Sequence, residues 1–241
     1  DHEDIDALLD KAREVEAKLV YLSNPDNPMG SWHSGEVIEK ALDRIPDGTL
    51  LVLDEAYIEF APDGTAPRID PEDPRVVRMR TFSKGYGLAG ARVGYAVGAQ
   101  PLIRAYDKVR NHFGMNRAAQ IGALAALQDD TWIEEVVGLV GAAKERIGTI
   151  AKASGVTALP SAANFVAVDL GRDGDYARAV LKALIAEGVI GDFRAPDVMR
   201  FGFCPLYIRE TDVEEAVGIL ARILRGALWD RPEFLRRKAV T

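Results

Sequence analysis

The sequence has very little cysteine and histidine. Its 241 residues include one cysteine, Cys204, and three histidines. One thiol cannot form an intramolecular disulfide, and a chain without disulfides suits the reducing cytosol, so we expect a cytoplasmic protein. The histidines and the cysteine are scattered without the spacing of metal ligands, and we therefore expect no metal site.

The sequence also lacks a long hydrophobic run and an excess of positive charge. No apolar stretch approaches the roughly 20 residues that a membrane helix needs, and the acidic N-terminus does not resemble a signal peptide. The net charge of −7 at pH 7 disfavours nucleic acid or an anionic membrane as the main partner. With 48% hydrophobic residues, the chain can bury one large core or two small ones.

Apolar strands alternate with helical segments along the chain. The patterns predict strands at 19–22, 50–53, 76–80, 91–97, 163–168 and 198–203. They predict helices at 4–18, 34–45, 101–110, 116–128, 131–154, 176–187 and 212–225. This alternation predicts an α/β fold with a mainly parallel sheet, in which the helix at 131–154 leads into a second subdomain.

A glycine-rich turn that carries one lysine follows the strand predicted at 76–80. Thr81, Ser83 and Arg92 supply two hydroxyls and a cation around Lys84, which suits a phosphate group. A lysine beside a bound phosphate suggests an amine reserved for a Schiff base with an aldehyde cofactor. Taken alone, the stretch also fits a solvated surface lysine on an ordinary α/β turn.

Three polar residues lie just after predicted strand ends, where ligands collect in α/β sheets: Asn27, Asp54 and Lys84. Asp54 closes a buried strand, and a protonated pyridine nitrogen would offset the cost of burying its charge. Tyr57 and the Asn27 amide could both bond a phenolic oxygen on the same ring. The alternatives are an Asp54 that caps the next turn and a Tyr57 that only packs.

Three segments together resemble the signature motifs of the pyridoxal-phosphate-dependent class I and II aminotransferases. The segments 24–30, 54–57 and 81–94 match in order and spacing, most closely in the histidinol-phosphate aminotransferase group. Met29 stands where that group usually has threonine. The resemblance covers about residues 1–187 and implies the aspartate aminotransferase-like fold type I of the pyridoxal-phosphate-dependent transferases.

The resemblance also implies roles for the residues around the turn. Lys84 would be the Schiff-base lysine and Asp54 the partner of the pyridinium nitrogen. Asn27 and Tyr57 would contact the ring oxygen. The phosphate would be held by Thr81, Ser83 and Arg92. The implied catalytic residues are Lys84, Asp54 and Tyr57.

Beyond about residue 187 the resemblance changes. The segments 188–196, 199–207 and 229–234 resemble the C-terminal end of kynureninases, which share the fold type and the cofactor. Both families place a carboxylate-binding arginine on the strand predicted at 198–203, which implies Arg200 as the substrate-binding residue. An ordinary surface arginine is the alternative for this position.

The resemblance sets the expected organisation and activity. Whole family members carry a further N-terminal third, so residues 1–130 would be the later part of a large cofactor-binding domain. Residues 131–226 would form a smaller α+β domain, followed by a tail at 227–241. We expect a homodimeric aminotransferase that moves an amino group between an amino acid, or a histidinol phosphate-like amine, and a 2-oxo acid. The alternatives are kynurenine hydrolysis, an inactive fragment, and a module that only associates with a partner chain.

Overall fold

A computed structural model describes residues 2–111, 113–194, 198–202 and 208–235. Cys204 and the end of the predicted tail lie outside these residues. The chain divides into two compact units. The first contains Asp1–Asn27 and Ser31–Val137, and the second contains Pro28–Gly30 and Gly138–Thr241.

The first unit is built on a four-stranded sheet with helices. Its strands are β1 (Leu19–Ser23), β2 (Leu50–Asp54), β3 (Val76–Thr81) and β4 (Gly94–Gly98), in the order β1-β2-β3-β4. The helices are α1 (Ile5–Glu14), α2 (Gly35–Leu42), α3 (Gln100–Tyr106), α4 (Arg117–Leu127) and the start of α5 (Asp130–Ala153). β1, β2 and β3 run parallel and β4 runs antiparallel to β3, so the sheet is mainly parallel, as the sequence predicts.

One face of this sheet forms the main core of the first unit. Alternate residues Leu51 and Leu53 of β2 pack with residues of α1 and α2, such as Leu9 and Ile38. Each helix is preceded by a residue whose side chain accepts a backbone N–H of the first turn, Asp4 before α1 and Ser34 before α2. Because side chains alternate along a strand, Asp54 points to the opposite face from this core.

The second unit contains an antiparallel sheet, most of α5 and two further long helices. Its strands are β5 (Thr157–Ala158), β6 (Phe165–Asp169), β7 (Asp192–Arg194) and β8 (Val198–Gly202), in the order β5-β6-β8-β7. The remaining helices are α6 (Gly174–Ala186), α7 (Glu210–Arg225) and the short α8 (Pro232–Leu235). Val180, Leu184, Met199 and Ile223 form a fully buried cluster between α6, α7 and β8. This is the α+β arrangement that the sequence predicts.

Several boundaries differ from the sequence prediction. α1 ends at Glu14 rather than at residue 18, and the short strands β5 and β7 have no counterpart in that prediction. β4 starts at Gly94 rather than at residue 91, because Ala89–Ala91 form a turn of 3-10 helix and Arg92 has a left-handed backbone with φ of 55°. A residue with that backbone cannot continue a strand. α3 ends at Tyr106, short of the predicted residue 110. Among the described helices, none is both long and apolar enough to cross a membrane.

Candidate active site

The predicted site residues of the first unit gather at one edge of its sheet. Because β1, β2 and β3 are parallel, their carboxyl ends meet at the same edge. Asp54 is the last residue of β2, and Lys84 follows the end of β3. Asn27 lies on the loop after β1, and this loop is tied to β2 because the Asn24 N–H donates to the Asp54 carbonyl at 2.9 Å.

The Asp54 carboxylate accepts one hydrogen bond at each oxygen. Its Oδ1 accepts from the Ala56 N–H at 2.9 Å, and its Oδ2 accepts from the Tyr21 hydroxyl at 2.5 Å. Partial burial of the phenol, the hydrogen bond to Asp54 and that carboxylate's charge raise the pKa of Tyr21 to about 12. The sequence reasoning missed Tyr21, since nothing in its strand pattern marks it as a neighbour of Asp54.

Three predicted residues form a continuous set of contacts beside this edge. The Asn27 amide Nδ2 donates to the Tyr57 hydroxyl oxygen at 3.0 Å. The Lys84 Nζ lies 5.1 Å from the centroid of the Tyr57 ring, which is within the range of a cation–π contact. Tyr57 is buried, so its ring is a fixed surface against which the amine and the amide are positioned.

The turn that carries Lys84 is closed by its own backbone. The Gly87 N–H donates to the Lys84 carbonyl at 3.0 Å, and the Phe82 N–H donates to the Val93 carbonyl at 3.2 Å. Gly87 has φ of 70°, a backbone that glycine adopts without the penalty of a side chain. The turn therefore holds Lys84 at a defined position after β3.

The residues predicted to hold a phosphate lie at the end of β3, in the case of Thr81, and on the turn that follows it, in the case of Ser83 and Arg92. The Thr81 hydroxyl oxygen accepts from the Ser83 N–H at 3.0 Å, so these two residues are adjacent. Arg92 is exposed, and its Nη1 donates to the Ala89 carbonyl at 2.8 Å. The structure thus brings Thr81 and Ser83 together and places the Arg92 guanidinium on the far end of the turn.

A buried ion cluster lies next to Asp54 in sequence, and the sequence reasoning gave it no role. Glu55 is 1% exposed. Its carboxylate accepts two hydrogen bonds from Arg78, at 2.6 and 3.0 Å, and one from Arg80 at 3.0 Å. Two arginines at alternate positions of an apolar strand are the sequence feature that could have revealed it. The cluster joins β3 to the end of β2.

A second carboxylate network supports the Asn27 loop. Burial of the carboxyl group, then the charge of Asp26 and a hydrogen bond to it, raise the pKa of Glu3 to about 7. The Asn24 side chain makes two hydrogen bonds to the His33 backbone. Its Oδ1 accepts from the His33 N–H at 2.8 Å, and its Nδ2 donates to the His33 carbonyl at 3.1 Å. His33 Nε2 in turn lies 2.9 Å from the Glu3 carbonyl oxygen.

Arg200 belongs to the second unit, on β8, and has a carboxylate partner there. Its Nη2 donates to Asp192 on the neighbouring strand β7, and its guanidinium lies 4.8 Å from the centroid of the Phe165 ring. Burial by itself would raise the pKa of Asp192, but the hydrogen bond and charge of Arg200 lower it. Arg194 Nε donates to the same Asp192 oxygen at 3.1 Å. The sequence reasoning did not foresee this pairing.

Comparisons with known proteins give a consistent result. A family model described as aminotransferase class I and II matches residues 1–204. A histidinol-phosphate aminotransferase of Bacillus velezensis is 37% identical over 92% of this chain and 61% of its own length. One from Anaeromyxobacter is 40% identical with the same coverage. The chain therefore spans about three-fifths of these curated relatives.

A solved structure agrees with these relatives. The crystal structure of histidinol-phosphate aminotransferase from Sinorhizobium meliloti in complex with pyridoxal-5'-phosphate matches with a TM-score of 0.86 and 42% identity. It covers 93% of this chain and 62% of that chain. The family match thus continues past the predicted boundary near residue 187, and these findings give no support to a kynureninase-like C-terminal segment.

Proposed function

The chain belongs to the class I and II aminotransferases, and we propose that it carries the cofactor-binding and substrate-binding residues of a pyridoxal-phosphate-dependent aminotransferase. The substrates would be an amino acid or a histidinol phosphate-like amine and a 2-oxo acid. The observation that carries this proposal is the contact of Lys84 and Asn27 with one buried ring, that of Tyr57, at the sheet edge where Asp54 ends β2.

The side chains at this edge fit the chemical groups of pyridoxal phosphate. Asp54 offers an anion for a protonated ring nitrogen, and the Asn27–Tyr57 pair offers donors for the phenolic oxygen. Lys84 offers a primary amine for the aldehyde. For the phosphate, the turn offers the hydroxyls of Thr81 and Ser83 and the Arg92 cation.

Pyridoxal phosphate, when bound, supplies an electron-withdrawing ring that stabilises negative charge on the substrate α-carbon. Asp54 would hold the positive charge of the ring nitrogen that makes this withdrawal effective. Lys84 Nζ would take the proton from the substrate α-carbon and hand it on to a carbon of the cofactor, and the Tyr57 ring would orient that amine. Catalysis by the chain itself is thus a matter of orientation, fixed charge and one mobile proton.

Arg200 would bind the anionic group of the substrate. A guanidinium matches the planar, two-oxygen geometry of a carboxylate and also binds phosphate. Arg200 contacts the Asp192 carboxylate, and the anionic group of the substrate could displace that carboxylate and take its place. The relatives' names favour a phosphate-bearing amine, while the geometry of Arg200 suits either anion.

We also propose a homodimer in the cytoplasm as the working form. The dimer rests on the family resemblance, and the location rests on the single cysteine of the sequence. Sedimentation of the cofactor-loaded protein tests the dimer, and a monomer under those conditions would contradict it.

Transamination is tested directly with purified protein and added pyridoxal phosphate. The expected result is conversion of a 2-oxo acid to its amino acid with histidinol phosphate or another amine as donor. Lys84→Ala should abolish this conversion, whereas Lys108→Ala, on an exposed turn after α3, should leave it unchanged. If the protein binds pyridoxal phosphate but transfers no amino group from histidinol phosphate or from any other amine tested, the proposed activity is refuted.

A further inference from the structure

The geometry points to an additional positioning residue: we propose that Tyr21 fixes the plane of the Asp54 carboxylate for its contact with the cofactor ring nitrogen. This proposal rests on the proposed function, because it assigns Asp54 to that nitrogen. Tyr21 would act through Asp54 and would not touch the reacting atoms.

The carboxylate of Asp54 is held by two donors that face different oxygens. The Tyr21 hydroxyl donates to Oδ2 at 2.5 Å, and the Ala56 N–H donates to Oδ1 at 2.9 Å. Rotation about the Cβ–Cγ bond would break both hydrogen bonds. The backbone N–H belongs to the chain itself and is fixed, so the hydroxyl is the contact that a side-chain change can remove.

The register of the sheet explains why Tyr21 reaches Asp54. Tyr21 pairs with Val52, and Ser23 pairs with Asp54, in the parallel ladder of β1 and β2. Tyr21 and Asp54 are therefore diagonal neighbours on the same face, at a separation that an aromatic side chain spans. That face is the one opposite the core formed with α1 and α2.

The hydroxyl can donate without consuming the acceptor capacity of Asp54. An ionised carboxylate has about four lone-pair sites, of which Tyr21 and Ala56 use two. A phenol with the ordinary pKa of 10 is already protonated at neutral pH, and the pKa of Tyr21 is raised further, to about 12, so its hydroxyl remains a donor. The remaining lone pairs are available to the ring nitrogen in a fixed direction.

Core packing alone does not explain a tyrosine at this position. The residue is 59% exposed, so most of its ring contributes little to the packed interior. A phenylalanine would keep the same ring contacts and the same strand, and would lack only the donor. The hydroxyl is therefore the part of Tyr21 that bears on the site.

The test compares two cofactors in two variants. Tyr21→Phe removes the donor, and Tyr106→Phe, on α3, is the matched control. Affinity is measured by absorbance titration with pyridoxal phosphate and with an analogue in which CH replaces the ring nitrogen. Because a hydrogen bond to a charged group is involved, we expect Tyr21→Phe to weaken binding of pyridoxal phosphate about tenfold. Binding of the analogue should stay within about twofold, since it has no ring nitrogen for Asp54 to hold.

The pattern of losses decides the proposal. If Tyr21→Phe lowers the affinity for both cofactors equally, Tyr21 is a structural residue and has no role toward the ring nitrogen. The proposed role is also overturned if the affinity for neither cofactor falls. If the unaltered protein binds pyridoxal phosphate and Tyr21→Phe binds it equally well, only the role of Tyr21 fails. If the unaltered protein does not bind pyridoxal phosphate at all, the proposed function fails, and the role of Tyr21 fails with it.

Discussion

The Lys84 amine lies 5.1 Å from the centre of the Tyr57 ring, and the hydroxyl of that ring accepts a hydrogen bond from Asn27 at 3.0 Å. The segments after β1, β2 and β3 each contribute one of these residues. The residues that follow β1 and β3 thus both contact the buried tyrosine that follows β2. The position of the amine is set by the sheet as much as by its own turn.

Lys84 should be the residue to which pyridoxal phosphate attaches covalently. Borohydride treatment of the protein mixed with pyridoxal phosphate should leave a pyridoxyl group on the peptide that contains Lys84. Lys84→Ala should lose this labelling because the amine beside Tyr57 is gone, while its urea unfolding curve stays close to that of the unaltered protein. Mass spectrometry of the digested protein identifies the peptide. Labelling spread over exposed lysines such as Lys11 and Lys108, with none at Lys84, would contradict the assignment.

The buried cluster of Glu55 should be important for stability. Glu55→Gln removes the charge that Arg78 and Arg80 share, and leaves two partly buried guanidiniums without the carboxylate that both contact. We expect the free energy of unfolding to fall by about 3 kcal/mol, at the low end for a broken buried pair because both arginines keep some exposure. Urea unfolding measures this change. Glu134→Gln, on the exposed face of α5, is the control and should change it by less than about 0.5 kcal/mol.

Gly30 offers a test of close packing within the second unit. An added Cβ at Gly30 would lie 2.2 Å from the Ser161 Oγ, at a backbone φ of 78°. Gly48 has a similar φ of 75° but has no atom within 4 Å of its added Cβ. Gly48→Ala should therefore cost only the backbone strain, about 1 kcal/mol, and Gly30→Ala should cost about 1–3 kcal/mol more.

Thermal unfolding of the two glycine variants gives the comparison. A Gly30→Ala protein as stable as Gly48→Ala would show that Ser161 can move away freely. The Ser161 hydroxyl donates to the Phe165 carbonyl at 2.6 Å, which argues against such movement.

The raised pKa of Glu3 predicts a pH dependence of stability. The folded chain holds the Glu3 proton up to about pH 7, whereas the ordinary value is 4.5. The folded state thus binds this proton more tightly than the unfolded state, so the Glu3 contribution is fully present below pH 4.5 and is lost as the pH rises through 7. Glu3→Gln, which imitates the neutral form at every pH, should gain stability relative to the unaltered protein between pH 5 and 8.

Urea unfolding across that pH range measures the gain. Glu14→Gln, at the exposed end of α1, is the control and should follow the unaltered protein. A difference between Glu3→Gln and the unaltered protein that stays constant with pH would contradict a shifted titration of Glu3.

The sequence predicted those parts of the site that local patterns determine. The apolar run of β2 and the position of Asp54 after it follow from residue type and order, and Lys84 follows from its glycine-rich turn. The contact of Tyr21 with Asp54 could not be predicted in this way. It depends on the register between β1 and β2, and that register is fixed only when the core face is packed.

Ion pairs between neighbouring strands could not be predicted from the sequence for the same reason. Arg200 was predicted to bind a substrate anion, but its contact with Asp192 depends on the pairing of β7 with β8. The late start of β4 depends on the positive φ of Arg92, a conformation that residue type does not predict for arginine. The strand pattern was therefore reliable in the middle of the six predicted strands and weak where a turn or a neighbouring strand decided the outcome, and it did not predict the short strands β5 and β7.

The alternation of side chains at the end of β2 separates two neighbouring acids. Asp54 faces the side of the sheet that carries Tyr21, and Glu55 is enclosed by two arginines on the other side. Deleting a single residue within β2 would exchange the two directions. The shorter acid would then meet the arginines and the longer one would enter the cofactor side, so that one missing amino acid would damage the architecture and the chemistry together.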